Sequence, residues 1–156
     1  MDNKTFRDQA HKMVDWMADY LENIESYPVK SKVTPREIYN QLAKSPPDKG
    51  EAMDDIFADF EKTIMPGITH WQHPNFHAYF TGNSSYPSVI AEMLTATIGA
   101  QCMIWDTSPA AAELEENVME WLQQMLGLPT SWTGCIQDTA STATLSAILS
   151  AREKQT

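Results

Sequence analysis

The chain has 156 residues, 42% of them hydrophobic and 21% charged, which is ordinary for a soluble protein and enough for one domain with its own core. A net charge of −10 argues against nucleic acid as a partner, no run is long and apolar enough for a membrane span, and Met-Asp-Asn-Lys is no signal peptide, so a cytoplasmic location is expected. Two cysteines, Cys102 and Cys135, make no disulfide framework and are expected to be reduced and packed.

The first predicted element is an amphipathic helix from about Thr5 to Asn23, with Phe6, Ala10, Met13, Val14, Met17, Leu21 and Ile24 on one stripe. Trp16 and Tyr20 fall off that stripe and mark a second sticky face. Such a helix is either an arm gripping a partner or a core helix in a bundle. Tyr27 to Val33 reads as an extended linker. Thr34-Pro35-Arg36-Glu37 has the form of a capping box with Pro at the first helical position, predicting a helix to about Ala43. After the Ser45–Gly50 loop, Met53, Ile56, Phe57, Phe60 and Ile64 predict a third helix, ended by Pro66-Gly67.

From Thr69 to Ser85 the sequence is aromatic-rich and irregular. Aromatic faces beside hydroxyls and amides suit the wall of a pocket for a small flat ligand, although a buried connecting loop needs the same polar groups. His70, His73 and His77 also sit here. Their spacing allows a small His-cluster metal domain, but no Cys or carboxylate lies nearby to complete a ligand set, and hydrogen-bonded histidines are the simpler reading.

A helix follows from about Pro87 to Ala100, then a second aromatic and Met-rich loop from Gln101 to Thr107. Ser108-Pro109 opens another helix, with Ser as its cap and Leu114, Val118, Trp121, Leu122 and Met125 as its buried stripe, stopped by Gly127-Leu128-Pro129. Cys135 and Ile136 approach Asp138-Thr139-Ala140-Ser141, after which Leu145, Ile148 and Leu149 read as a last helix. Its start is either an ordinary cap or an anion seat, because a helix N-terminus offers free N–H groups and a positive dipole end. The visible fold class is therefore mainly α.

Charge is distributed unevenly. From Thr63 to Ala151 there is no Lys or Arg, while Glu92, Asp106, Glu113, Glu115, Glu116, Glu120 and Asp138 all fall there. An exposed half-domain normally carries both signs. This half is expected to be covered by other protein, and with the sequence closing on Arg152-Glu-Lys-Gln-Thr156, just beyond a short helix, the chain is expected to be part of a larger structure.

Four segments then stand in a telling order: Thr69-His-Trp71; Tyr79-Phe80 followed by Ser84-Ser-Tyr-Pro87; Trp105-Asp-Thr-Ser-Pro-Ala-Ala-Ala-Glu-Leu-Glu115; and Gln137-Asp-Thr-Ala-Ser-Thr-Ala-Thr144. Together they resemble the group II pyridoxal-phosphate-dependent amino-acid decarboxylases, most closely the aromatic-L-amino-acid decarboxylases. The resemblance covers nearly the whole chain and the front third of such an enzyme. It implies residues 1–85 as an N-terminal helical, dimer-clasping segment with a substrate-pocket loop. It implies residues 86–156 as the start of the α/β large domain of a fold-type I enzyme.

The resemblance further implies that Thr139, Ala140 and Ser141 help bind the phosphate of pyridoxal 5'-phosphate. Trp71, Tyr79, Phe80 and Thr81 would line the substrate pocket, and Gln101 and Met103 would reach into the active site of the other subunit of a homodimer. The sequence departs from the family pattern in three places. Asp138-Thr139 stands where Gly-Ser is frequent, so Asp138 can still cap the helix but its charge must face away from the phosphate; Thr81-Gly82 stands where Pro-Thr is common; and Met103 replaces a frequent Phe.

The implied reaction, loss of CO₂ from an L-amino acid to give an amine, needs a Schiff-base lysine, an acidic partner for the pyridine nitrogen and a ring-stacking histidine. None is identified here: Lys4, Lys12, Lys30, Lys32, Lys44, Lys49, Lys62 and Lys154 all lie outside a Ser-x-His-Lys setting. Catalytic residues are therefore expected on a complementary C-terminal chain, with no metal, and this chain alone is expected to be inactive. A non-catalytic dimerisation module derived from such an enzyme is the other reading.

Overall fold

The computed structural model describes residues 1–82 and 84–155. Asn83, inside the aromatic loop, and Thr156, the end of the second expected segment, lie outside the described residues. The chain forms two compact units, Met1–Tyr86 and Pro87–Thr156. Both are helical, and among the described residues there is no β-strand.

In the first unit, α1 runs from Asn3 to Glu22, and its start is set by Asp2, whose carboxylate accepts the N–H of Thr5 at 2.7 Å. Both faces are half-buried: Ala10, Met13, Met17, Leu21 and Ile24 of the expected stripe, and Trp16 and Tyr20 of the second. Phe6 is 60% exposed and Val14 is also exposed, whereas Trp16 and Tyr20 stack on one another at 5.4 Å. Trp16 meets Phe57 and Phe60 edge-on at 5.5 and 5.8 Å, and its indole N–H donates to Glu61 Oε1 at 2.9 Å. Lys12 donates to Asp54 at 2.7 Å along the same seam.

The Thr34–Glu37 box is only half built. Glu37 accepts from the N–H and the hydroxyl of Thr34, both at 2.9 Å, but Arg36 takes a left-handed φ of 73°, so helix α2 spans only Glu37–Gln41 and Pro35 sits in the turn before it. Arg36 and Lys44 instead place their charges over the Tyr39 ring, at 4.3 and 4.5 Å. The third predicted helix is α3, Met53–Asp59, which widens into a π turn at Phe60–Ile64 and tightens into a 3₁₀ turn at Met65–Gly67.

In the second unit, α4 spans Tyr86–Ile98, α5 Pro109–Met125 and α6 Ala140–Gln155. Both α4 and α5 end on a glycine in the left-handed region, Gly99 at φ 63° and Gly127 at φ 64°. At Gly127 the two bonds of a Schellman motif are present: Gly127 N–H to Gln124 C=O at 3.1 Å, and Leu128 N–H to Gln123 C=O at 3.0 Å. Ser108 precedes α5 but makes no side-chain cap bond, contrary to expectation, and Pro109 alone opens the helix.

The expected buried stripe of α5 is open. Leu114, Val118, Trp121, Leu122 and Met125 are all exposed, the last at 79%. Beyond Ala111 and Ala112, the half-covered side chains are Glu115, Met119 and Gln123, which face the returning segment 128–136. Ile90, Leu94 and Ile98 on α4, and Leu145, Ile148 and Leu149 on α6, are likewise exposed. Cys102 and Cys135 are free and exposed, so they are not packed as expected. Apolar periodicity identifies surface that wants cover, and the described residues do not supply it.

Candidate cofactor seat and substrate-pocket wall

The α6 start is built from four consecutive polar or small residues. Thr139 is the cap: its carbonyl accepts the N–H of Ala143 at 3.0 Å, and its hydroxyl oxygen accepts the N–H of Thr142 at 3.2 Å. Thr142 returns the bond, taking the N–H of Thr139 at 3.2 Å, which makes a reciprocal box with threonine in the place usually held by Glu or Gln. Ala140 and Ser141 are the next two residues. Neither their N–H groups nor the Ser141 hydroxyl has a partner among the described residues.

These groups suit a phosphate dianion, which takes neutral N–H and hydroxyl donors at the positive end of a helix. Asp138 complicates the seat. Its Oδ1 accepts the Thr142 hydroxyl, so the side chain caps the first turn of α6 and its charge rests there. Thr142 is a residue that sequence reasoning missed, although its spacing of three from Thr139 was the available signal.

In the first unit, Trp71 stacks on Phe76 at 4.9 Å and on Tyr79 at 5.8 Å, giving a three-ring wall. Tyr79 has a φ of 58°, a costly backbone for a bulky residue, and Phe80 next to it is fully exposed. Thr81 is exposed as well. The Gln72 amide holds the end of the loop: it donates to Gly82 C=O at 3.2 Å and Ser84 Oγ at 3.3 Å, and accepts the Ser84 N–H at 3.2 Å. Phe76 and Gln72 carry no periodic signal, so the sequence did not single them out.

Gln101 and Met103 belong to the second unit. Both are exposed, on a loop closed by the Thr107 hydroxyl, which donates to Gln101 C=O, and by Trp105 Nε1, which donates to Glu113 at 3.1 Å.

Two of these histidines, His70 and His73, are buried and hydrogen-bonded within the first unit. His70 is 1% exposed; its Nδ1 pairs with the Tyr20 hydroxyl at 2.8 Å, and its N–H donates to Val29 C=O at 3.0 Å. Burial, with His73 beside it, holds the His70 imidazole below its ordinary value, while burial and then Tyr27 push the Tyr20 phenol up. His73 Nδ1 accepts the N–H of Asn75 at 3.0 Å, and His77 is exposed. Among the described residues no three His, Cys, Asp or Glu side chains come together as a metal site.

Comparison with known proteins identifies the family. Residues 35–156 match the pyridoxal-dependent decarboxylase conserved domain. Tyrosine decarboxylase 2 of Narcissus pseudonarcissus is 44% identical over 99% of this chain and 32% of its own length. The aromatic-L-amino-acid decarboxylase of Mus musculus is 44% identical over 99% of this chain and 34% of its own length. The crystal structure of Catharanthus roseus tryptophan decarboxylase in complex with L-tryptophan superposes with a TM-score of 0.91 at 42% identity, over 99% of this chain and 35% of that one. The chain thus spans about a third of the length of these relatives. It belongs to the pyridoxal-dependent decarboxylase family.

Proposed function

We propose that this chain is the N-terminal portion of a pyridoxal-phosphate-dependent decarboxylase of aromatic L-amino acids, releasing CO₂ and an amine. The observation that carries it is the α6 start, where the Ala140 and Ser141 N–H groups and the Ser141 hydroxyl lie open beside the Thr139 cap in a chain of this family. Thr139, Ala140 and Ser141 hold the cofactor phosphate. Bound pyridoxal phosphate supplies the electron sink for the charge left when CO₂ departs.

Trp71, Tyr79 and Phe80 present flat faces to an aromatic substrate, with Thr81, Gln101 and Met103 completing the wall, the last two from the other subunit of a homodimer. The named substrates of the relatives, tyrosine and tryptophan, support an aromatic side chain. The cofactor lysine, the pyridine-nitrogen acid and the ring-stacking histidine come from the complementary C-terminal sequence. Residues 1–85 act as the dimer clasp and 86–156 as the beginning of the cofactor domain. A cytoplasmic location belongs to the same proposal; among the described residues no helix is long and apolar enough to cross a membrane.

The test reconstitutes the chain with the C-terminal two-thirds of the fold and measures CO₂ and amine from tyrosine and tryptophan. Ser141→Asp in that assembly puts a second negative charge at the seat and is expected to weaken pyridoxal phosphate binding about a hundredfold. Unchanged binding removes the seat from Thr139–Ser141. Decarboxylation by the 156-residue chain alone would contradict the division of labour, and a colourless, inactive dimer of the reconstituted protein would favour the dimerisation-module reading.

A further inference from the structure

One face of α5 grips the segment that delivers the phosphate seat. Glu115, Met119 and Gln123 are spaced by four and therefore share a side of the helix. Gln123 Nε2 donates to Pro129 C=O at 2.7 Å and to Trp132 C=O at 2.9 Å. Met119 meets Gly134 so closely that a Cβ there would stand 2.5 Å from the Met119 methyl. Glu115 Oε1 accepts the N–H of Ile136 at 2.7 Å. The returning chain is thus held at three successive levels, and the last hold lies only two residues, Gln137 and Asp138, before the Thr139 cap.

We propose that Glu115 is a positioning residue for the cofactor phosphate: through the Ile136 N–H it sets where the α6 start stands. This rests on Thr139–Ser141 being the phosphate seat. An ionised carboxylate on a backbone N–H is among the stronger hydrogen bonds, and the segment it holds has no strand partner and no regular structure among the described residues. With that bond gone, Ile136 is released and the free N–H groups of Ala140 and Ser141 lose their fixed place. Neutral donors bind a phosphate well only when they are held ready for it. The effect belongs to the phosphate end of the cofactor and leaves its ring contacts alone.

The experiment titrates the reconstituted apoenzyme with pyridoxal phosphate and, separately, with pyridoxal, which lacks the phosphate, and takes the ratio of the two affinities. Glu115→Ala is expected to lower the preference for the phosphorylated form about tenfold. Glu115→Gln keeps an acceptor oxygen at the same reach and is expected to stay within about twofold of the parent. An unchanged ratio in Glu115→Ala overturns the proposal, as does an equal loss for both ligands or an equal loss in the Ala and Gln variants. Should the alanine variant not fold, Glu115→Asp, one methylene short of Ile136, is read the same way, and an unchanged ratio there overturns it equally. Ser141→Asp separates the two levels. If it leaves pyridoxal phosphate affinity intact, the seat itself falls; if it weakens affinity while Glu115→Ala does not, only the role of Glu115 falls.

Discussion

The two units use their side chains in opposite ways. In Met1–Tyr86 the large residues find each other across long stretches of sequence: Trp16 on Phe57 and Phe60, and Tyr20 and Tyr27 on His70, with Tyr20 and His70 also hydrogen-bonded. In Pro87–Thr156 most apolar residues of α4 and α6 are exposed, and α5 spends its half-covered face largely on backbone polar groups. The first unit therefore carries its own small aromatic cluster. The second is a scaffold that aims a helix start and offers apolar surface for cover. The relatives that the chain matches are about three times as long.

The largest effect that sharpens this contrast is expected at His70. Replacing this side chain by alanine opens space between Tyr20 and Tyr27 and strands the Tyr20 hydroxyl, a loss of about 3 kcal/mol by urea unfolding. A midpoint equal to the parent's would erase the distinction between the units. The same pair carries a pH signature. The folded chain prefers neutral His70, so its contribution is complete above the ordinary value of 6.5 and is lost as pH falls below it. Tyr20, pushed up from 10.0, contributes fully below that value and loses its contribution as pH rises above it. His70→Gln is expected to flatten the acid side of a plot of melting temperature against pH.

A smaller effect is expected at the proposed pocket wall in the reconstituted enzyme. Gln72→Leu frees Gly82 and Ser84 from the amide that holds them, and is expected to raise KM for an aromatic substrate about fivefold while kcat changes little. Equal losses in both constants would mean that Gln72 supports the chemistry rather than the loop. The smallest effect lies in the second unit. Gly127→Ala puts a Cβ on a left-handed residue and weakens the cap of α5, at a cost of about 1 kcal/mol. A loss as large as that at His70 would show that the second unit carries more of its own stability than its exposed faces imply.

Helix positions were legible because they rest on local rules. Period, Pro109 at a helix start and Gly127 at a helix end act within one or two turns, so α1, α4, α5 and α6 stand within a few residues of where the pattern puts them. The local rule failed at Thr34–Glu37, where a left-handed Arg36 delays the helix, and at Ser108, where the cap bond is absent. Of the candidate site, the run Thr139–Ser141 and the ring pair Trp71 and Tyr79 could be picked out by residue type and order. Phe76, Gln72, Thr142 and Glu115 each act through one or two specific partners and leave little or no pattern to find.

The sequence by itself determined the helical class, the family and the polar start of α6, because each is written in residues close together or in a fixed order. Only the tertiary structure decided which side chains are used: on α1 Trp16 and Tyr20 join the half-buried part of the stripe while Phe6 and Val14 stay exposed, and on α5 Glu115, Met119 and Gln123 are covered rather than the apolar stripe. The physical reason is that periodicity measures how strongly a face avoids water, which is a property of one helix. What covers that face, and which lone carboxylate reaches which backbone N–H, depends on chain that arrives from elsewhere.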